Sequence, residues 1–162
     1  QGRDFMRDNR VALARAQRDF GVPAEIIAAI IGVETSYGKI KGSYRVLDSL
    51  ATLGFDYPPR GKFFLGELEQ YLLLVKEQRF DAKTVKGSYA GAMGYGQFIS
   101  SSYRHYAIDF DGDGVADIVN NVVDAIGSVA NYFNSHGWNP GAAIAVTAQA
   151  GLEYDQTVAN KK

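Results

Sequence analysis

Apolar side chains recur at helical spacing along most of this chain, whereas the alternating pattern typical of strands is scarce. Residues Phe5 to Phe20 predict one helix that ends at Gly21, with Val11, Ala14 and Arg18 on one stripe. Further helices are predicted over residues 24–37, 63–76, 97–106 and 121–136. The pattern therefore predicts an all-α domain, without internal repeats or a linker.

A glycine-rich segment interrupts the helical pattern. Residues 86–96 carry four glycines interleaved with serine, methionine and tyrosine, a composition that does not sustain a long helix. The segment predicts a loop that brings backbone close to a ligand, and its hydroxyl and amide groups suit an uncharged, polyhydroxylated one. A tight turn with a purely structural role is the alternative.

Composition narrows the possible chemistry. The 162 residues suit one domain, and 17 Lys and Arg against 18 Asp and Glu argue against a nucleic-acid binder that relies on a basic field. No apolar run is long enough for a transmembrane helix, and the start at Gln1 without a leader is consistent with a trimmed fragment. Because there is no cysteine, disulfides, thiolate metal sites and a cysteine nucleophile are excluded. Catalysis would have to use carboxylates, hydroxyls and amides.

Glu34 is a candidate acid on an apolar helix face. It follows Ile30 and Ile31 at helical offsets, so we expect its carboxyl to be buried among them. Burial favours the protonated form of a carboxyl group, and a carboxylic acid that can protonate a leaving oxygen is what glycosidic cleavage requires. The alternative is a glutamate at a helix end that faces solvent or pairs with Lys39 or Lys41.

A second motif has the spacing of an EF-hand calcium loop. Acids occupy positions 1, 3, 5 and 9, and glycine occupies position 6 of a loop that begins at Asp109. Asn120 stands where the usual glutamate would be, and Asp124 on the next helix is expected to close the site. The predicted ligands of Ca²⁺ are Asp109, Asp111, Asp113, the carbonyl of Val115, Asp117 and Asp124. A solvated acidic turn is the alternative.

Four segments in this order resemble a known family. They are residues 30–38 (IIGVETSYG), 47–53 (LDSLATL), 87–98 (GSYAGAMGYGQF) and 124–133 (DAIGSVANYF). From about Val22 to Trp138 the chain resembles the catalytic domain of the membrane-bound lytic murein transglycosylase B family and its soluble relatives. The resemblance implies a lysozyme-like α fold that cleaves the β-1,4 bond between N-acetylmuramic acid and N-acetylglucosamine in peptidoglycan. The muramyl 6-hydroxyl would capture C1 and give a 1,6-anhydro product.

Site residues follow from the same resemblance. It implies that Glu34 is the single catalytic acid and base, and that the acidic loop is a structural calcium site closed by Asp124. The residues that match the family's glycan groove are Ser88, Met93, Tyr95, Gln97, Phe98 and Tyr132. The expected partners are peptidoglycan strands and cell-wall synthesis or hydrolysis enzymes, not nucleic acid. The expected location is the periplasm, with a lipid anchor, if there is one, on a segment absent from this chain.

The chain also departs from the family pattern. We expect one domain over residues 1–162 that includes the EF-hand-like loop, residues 109–124. Nothing after Gly141 matches the family's C-terminal segment, which carries further groove tyrosines, so an incomplete groove is expected. Two alternatives stay open: a muramidase that uses water instead of the 6-hydroxyl, and a calcium-stabilised glycan-binding module without catalysis.

Overall fold

The computed structural model describes residues 1–147, and residues 148–162 of the expected domain lie outside it. Within residues 1–147 the chain forms seven α-helices and one small antiparallel sheet, which confirms the all-α prediction. The helices are α1 (Gly2–Asp8), α2 (Arg10–Phe20), α3 (Ala24–Thr35), α4 (Val46–Asp56), α5 (Gly61–Gln78), α6 (Ser100–Tyr106) and α7 (Val122–Ser135). The strands are β1 (Tyr44–Arg45) and β2 (Lys86–Gly87). In this part of the chain no helix is long and apolar enough to cross a membrane.

Helix α7 lies at the centre of the core. Every residue from 124 to 130 is buried, and the helix packs against α2, α3 and α6. Its N-terminus is capped by Asn121, whose side-chain oxygen accepts the backbone N–H of Val123 at 2.9 Å. Its apolar residues Ile126 and Val129 are both buried. Helix α7 therefore provides a rigid support for side chains on its remaining face.

Helices α4, α5 and α6 form the other half of the core. Helix α4 packs along α5, and α5 packs against α6. At the start of α6, buried Glu67 of α5 accepts the backbone N–H of Ser101 at 2.9 Å and its hydroxyl at 2.7 Å. Since the first N–H groups of a helix have no partner inside it, Glu67 acts as a cap supplied by a neighbouring helix. The periodicity analysis predicted neither α4 nor this cap.

The N-terminal helix differs from the prediction in two ways. The predicted helix is divided at Asn9, which has a non-helical φ of −109° and whose side chain donates to the carbonyl oxygen of Phe5 at 2.9 Å, beside the backbone N–H of Asn9. The predicted stripe is wrong: Val11 is exposed, and the buried positions of α2 are Leu13 and Ala16. Helix α2 ends at Gly21, as predicted.

The glycine-rich segment is a folded loop. Strand β1 pairs with β2, with Tyr44 opposite Gly87. Beyond β2 the chain turns back on itself, and Met93 and Phe98 exchange two backbone hydrogen bonds of 2.9 Å each. We call residues 87–98 the glycine-rich loop. Helix α6 begins only after it, three residues later than the predicted start at residue 97. The fold thus holds this loop between the end of α3 and the start of α6.

Candidate active site

A cleft of about 360 Å³ opens where α3, the glycine-rich loop and α7 meet. Its lining is mostly apolar with a few polar groups, which is typical of a ligand site. We call it the Glu34 cleft, and its lining residues are Ile30, Glu34, Gly96, Gln97, Phe98, Ile99, Ser102, Val129, Tyr132 and Phe133. Four side chains singled out from the sequence therefore share one cleft: Glu34, Gln97, Phe98 and Tyr132.

Glu34 is exposed, which matches the alternative of a helix-end glutamate that faces solvent and shows that the expected burial of its carboxyl is wrong. The helical offset places the side chain in the right direction, but α3 ends at Thr35, and Ser36 and Tyr37 then take left-handed backbone conformations. The chain turns away there, and the carboxyl group lies over an open cleft. Within residues 1–147 no cation comes within ion-pair distance of it, and the suggested partner Lys41 instead donates to the carbonyl oxygen of Val119 at 2.6 Å.

Two hydrogen bonds from its side-chain amide hold Gln97 in place. It is one of few non-glycine residues with positive φ (51°), and its side-chain nitrogen donates to the carbonyl oxygens of Gly94 at 3.0 Å and Lys41 at 3.3 Å. Both amide hydrogens are therefore used inside the protein. Within the described residues the amide oxygen has no hydrogen-bond donor. Gln97 thus offers the cleft one fixed acceptor.

Aromatic rings form one side of the cleft. Phe98 is buried, whereas Tyr132 is 36% exposed, and their ring centroids lie 5.7 Å apart. Tyr132 is on the exposed face of α7, one helical turn beyond buried Ser128. Aromatic faces with a polar edge suit the flat, partly apolar faces of sugar rings.

The other three predicted groove residues do not line this cleft. Met93 is fully buried in the core. The Ser88 hydroxyl oxygen accepts the backbone N–H of Ala92 at 3.0 Å, and the ring of Tyr95 packs under the ammonium group of Lys41 at 4.5 Å. These side chains shape the glycine-rich loop from inside.

Thr35 connects the glycine-rich loop to α3, and the sequence analysis did not single it out. It is buried, and its hydroxyl oxygen accepts the N–H of Gly38 at 2.9 Å, while its one hydrogen faces the carbonyl oxygens of Tyr95 at 2.9 Å and Ile31 at 3.1 Å. The N–H of Tyr95 donates to the carbonyl oxygen of Ile118, at the end of the acidic loop, at 3.1 Å. The residue after Glu34, the glycine-rich loop and the acidic loop are therefore joined by two consecutive hydrogen bonds.

The acidic loop brings three of its predicted ligands together. Carboxylate oxygens of Asp109, Asp111 and Asp124 lie within 4.8 Å of one another. Gly114, at the sixth position, has a φ of 94°, which permits the sharp turn. This donor set, all hard oxygen, suits a divalent cation such as Ca²⁺.

The remaining predicted ligands lie outside that cluster. The Asp113 carboxylate accepts the N–H of Val115 at 2.9 Å, and the Asp117 carboxylate accepts the N–H groups of Val119 and Asn120 at 2.9 Å each. Both acids therefore stabilise turns of the loop backbone.

Asp124 fixes the acidic loop to α7. Its side chain is fully buried, and its two oxygens accept the N–H groups of Phe110 at 2.7 Å, Asp117 at 2.9 Å and Asp111 at 3.3 Å. Burial nevertheless raises the pKa of Asp124, because loss of hydration disfavours its charge. By contrast, backbone N–H donors, above all that of Gly114, lower the pKa of exposed Asp109.

Comparison with known proteins identifies the family. The model of the transglycosylase SLT domain matches residues 1–162. The chain belongs to this family.

Several transglycosylase relatives share this fold. The chain is 56% identical to membrane-bound lytic murein transglycosylase B of Escherichia coli over 144 residues, which are 89% of this chain and 40% of that protein. Soluble lytic transglycosylase SltB1 of Pseudomonas aeruginosa superposes with a TM-score of 0.87 at 58% identity, over 88% of this chain and 48% of the other. E. coli lytic transglycosylase Slt35 gives a TM-score of 0.85 at 54% identity, over 88% and 45%, and has been solved with calcium and with bulgecin A. The chain thus spans less than half the length of these relatives.

Proposed function

We propose that this transglycosylase domain is a peptidoglycan lytic transglycosylase that cleaves the β-1,4 bond between N-acetylmuramic acid and N-acetylglucosamine. Glu34 donates its proton to the glycosidic oxygen as the bond from that oxygen to C1 breaks. The carboxylate then takes the proton of the muramyl 6-hydroxyl, whose oxygen bonds to C1. The product is a 1,6-anhydromuramyl end, no water is consumed, and Glu34 regains its starting state.

The observation that carries this proposal is the lining of the Glu34 cleft. Glu34 is the one carboxyl group among its lining residues, and it lies beside a glutamine and two aromatic rings. Most glycosidases require two carboxyl groups that flank the bond. The next acids along the chain after Glu34, Asp48 and Asp56, are not in the cleft lining, and Asp48 pairs with Arg45 at 3.4 Å. A mechanism with one acid and help from the substrate fits this arrangement.

That help would come from the N-acetyl group of the sugar, whose oxygen stabilises the positive charge that develops at C1. The free amide oxygen of Gln97 is suited to accept the acetamido N–H and so to orient the group. The Tyr132 hydroxyl is a second polar group on the same side. Ser88, Met93 and Tyr95 support binding by setting the shape of the loop that carries Gln97 and Phe98.

Because Glu34 is exposed in the free protein, a bound substrate is needed to shield its carboxyl group from water. Apolar side chains of Ile30, Phe98 and Val129 surround the cleft, so a sugar seated there would cover the Glu34 carboxyl and exclude water from it. Exclusion of water also favours the 6-hydroxyl over hydrolysis.

We also propose that Ca²⁺ binds the acidic loop in a structural role. The convergence of Asp109, Asp111 and Asp124 supports it, with Asp113, Asp117 and the Val115 carbonyl completing the ligand set after local adjustment. At a free calcium concentration 100 times its Kd, binding adds about 2.7 kcal/mol to the free energy of unfolding. Thermal unfolding with calcium and with chelator tests this, and a melting temperature indifferent to both would reduce the loop to an acidic turn.

The decisive experiment is digestion of purified peptidoglycan followed by mass spectrometry. A transglycosylase gives anhydro ends, which are lighter by one water than the products of a muramidase. Binding without new ends would leave the glycan-binding module as the better description. We expect Glu34→Gln to abolish turnover while it leaves folding and glycan binding intact, because the amide keeps the shape but lacks the proton. Substantial turnover by this variant would remove Glu34 from the mechanism.

Such a substrate places the enzyme in the bacterial envelope, and we propose the periplasm as its location. The relative in E. coli is named as membrane-bound. Fractionation of cells that produce the protein, with the murein layer separated from membranes, tests this assignment.

A further inference from the structure

Tyr132 has an unusual mode of support. Within the described residues its hydroxyl has no hydrogen-bond partner, so packing around the ring alone fixes its position. Phe98 contacts the ring from the cleft side at a centroid distance of 5.7 Å, and Tyr106 meets it edge-on at 5.1 Å. His136 lies nearest, stacked at 4.0 Å with the two planes 27° apart.

Contacts of His136 itself and of nearby Trp138 hold the imidazole ring in place. Its Nδ1 lies 2.7 Å from the carbonyl oxygen of Tyr132, and since a carbonyl only accepts, Nδ1 carries the hydrogen. Its ring also contacts Tyr106 at 4.9 Å. Two residues later Trp138 anchors the chain, because its indole N–H donates to the carbonyl oxygen of Gly21 at 2.8 Å. The imidazole ring therefore has one fixed orientation against Tyr132.

We propose that His136 is a positioning residue for the transglycosylase reaction, acting through Tyr132. It covers one face of the tyrosine ring, so that the hydroxyl is presented to the Glu34 cleft in one orientation. His136 is exposed and is not among the residues that line the cleft, so it does not need to touch the substrate. The inference rests on the function proposed above.

The chain contains a matched control. His105 near the end of α6 has the same local contact, with its Nδ1 2.7 Å from the carbonyl oxygen of Ser101, four residues earlier. It is exposed as well, and its ring lies 6.0 Å from Tyr106. It has no ring contact with Tyr132 among the described residues. Replacement of either histidine removes a contact between its Nδ1 and the carbonyl oxygen four residues earlier. Only replacement of His136 also removes the ring that stacks on Tyr132.

Kinetics on soluble glycan strands test the proposal. We expect His136→Ala, which loses this aromatic contact, to lower kcat about 3- to 10-fold, with KM within about twofold and a melting temperature that falls by no more than a few degrees. His136→Phe keeps the stack and should restore most of the rate, whereas His105→Ala should behave as wild type. In a Tyr132→Phe background, His136→Ala should cost nothing further, because its effect passes through the missing hydroxyl.

An additive loss in that background, or a wild-type kcat for His136→Ala, would overturn the proposal. A second measurement does not depend on activity. In NMR spectra of protein labelled at tyrosine rings, the Tyr132 signals should shift in His136→Ala and stay in place in His105→Ala. If the wild-type protein does not turn over glycan, the proposed function fails and this spectrum alone decides whether His136 positions Tyr132. Unshifted Tyr132 signals would refute the positioning role.

Discussion

Replacement of Asp124 by asparagine tests how the acidic loop is attached to the core. The carboxylate accepts three backbone N–H groups in a fully buried place, two on one oxygen and one on the other. An asparagine side chain at this position would keep an oxygen for Phe110 and Asp111 but would turn an NH₂ group toward the N–H of Asp117. One hydrogen bond to a charged group is lost, and both the N–H of Asp117 and the new NH₂ group are left as donors without an acceptor.

The magnitude follows from those two terms. A hydrogen bond to a charged group contributes about 1.5–3 kcal/mol, and an unsatisfied buried donor costs about 1–3 kcal/mol. Part of this is offset because an amide has no charge to desolvate, and burial raises the pKa of the native carboxyl. We therefore expect Asp124→Asn to lower the free energy of unfolding by about 3 kcal/mol. For a domain of this size that is a fall of about 6–12 °C in melting temperature.

Thermal unfolding followed by circular dichroism measures this effect, first in chelator so that no cation contributes. Asp113→Asn is the control, because Asp113 is exposed and its carboxylate accepts one turn N–H, so its melting temperature should move by much less. With calcium added, the gap between wild type and Asp124→Asn should widen if Asp124 is also a ligand. Equal melting temperatures of wild type and Asp124→Asn in chelator would show that the three hydrogen bonds do not hold the loop.

Two further predictions concern the cleft and the core. Tyr132→Phe should lower kcat about tenfold or more in the peptidoglycan assay with little change in melting temperature, since it removes a polar contact used in the transition state. Gln97→Ala should lower kcat by a similar factor and also lower the melting temperature by a few degrees, because it loses two internal hydrogen bonds; a lower melting temperature with unchanged kinetics would make either residue structural. Gly127→Ala should lower stability by about 1–3 kcal/mol in thermal unfolding, because a Cβ there would lie 2.3 Å from Cγ of buried Phe110. Gly66→Ala, at an exposed position of α5, is its control and should stabilise by about 0.5–1 kcal/mol, since nothing lies within 4 Å of a Cβ there; a loss at both positions would contradict the argument from packing.

Helical periodicity predicted helices α5 and α7 and missed helix α4. Helices α5 and α7 have regular apolar repeats, and the structure contains both. Helix α4 starts directly after extended Arg45, with no side-chain cap, and its sequence mixes serine, threonine and glycine among the leucines. Its helical state depends on packing against α5, which a local pattern does not reveal.

In the candidate site, too, some features could be predicted from the sequence and others could not. Motif and resemblance brought Glu34, Gln97, Phe98 and Tyr132 to one place, where the structure has them in one cleft. The expected burial of Glu34 was wrong because spacing gives the direction of a side chain and not its depth; depth depended on where α3 ends. The structural parts of Thr35 and Glu67 depend on contacts between segments far apart in sequence, so no local signal could have indicated them.

The hydrogen bond from the Tyr95 amide to the Ile118 carbonyl oxygen joins the glycine-rich loop to the end of the acidic loop. An amide in such a bond exchanges its hydrogen with solvent only when the two segments separate. The two loops are therefore expected to open as one cooperative unit, with a common opening free energy. The hydrogen-exchange rate of the Tyr95 amide, which lies beside the Glu34 cleft, would then measure how strongly a bound cation stabilises the acidic loop.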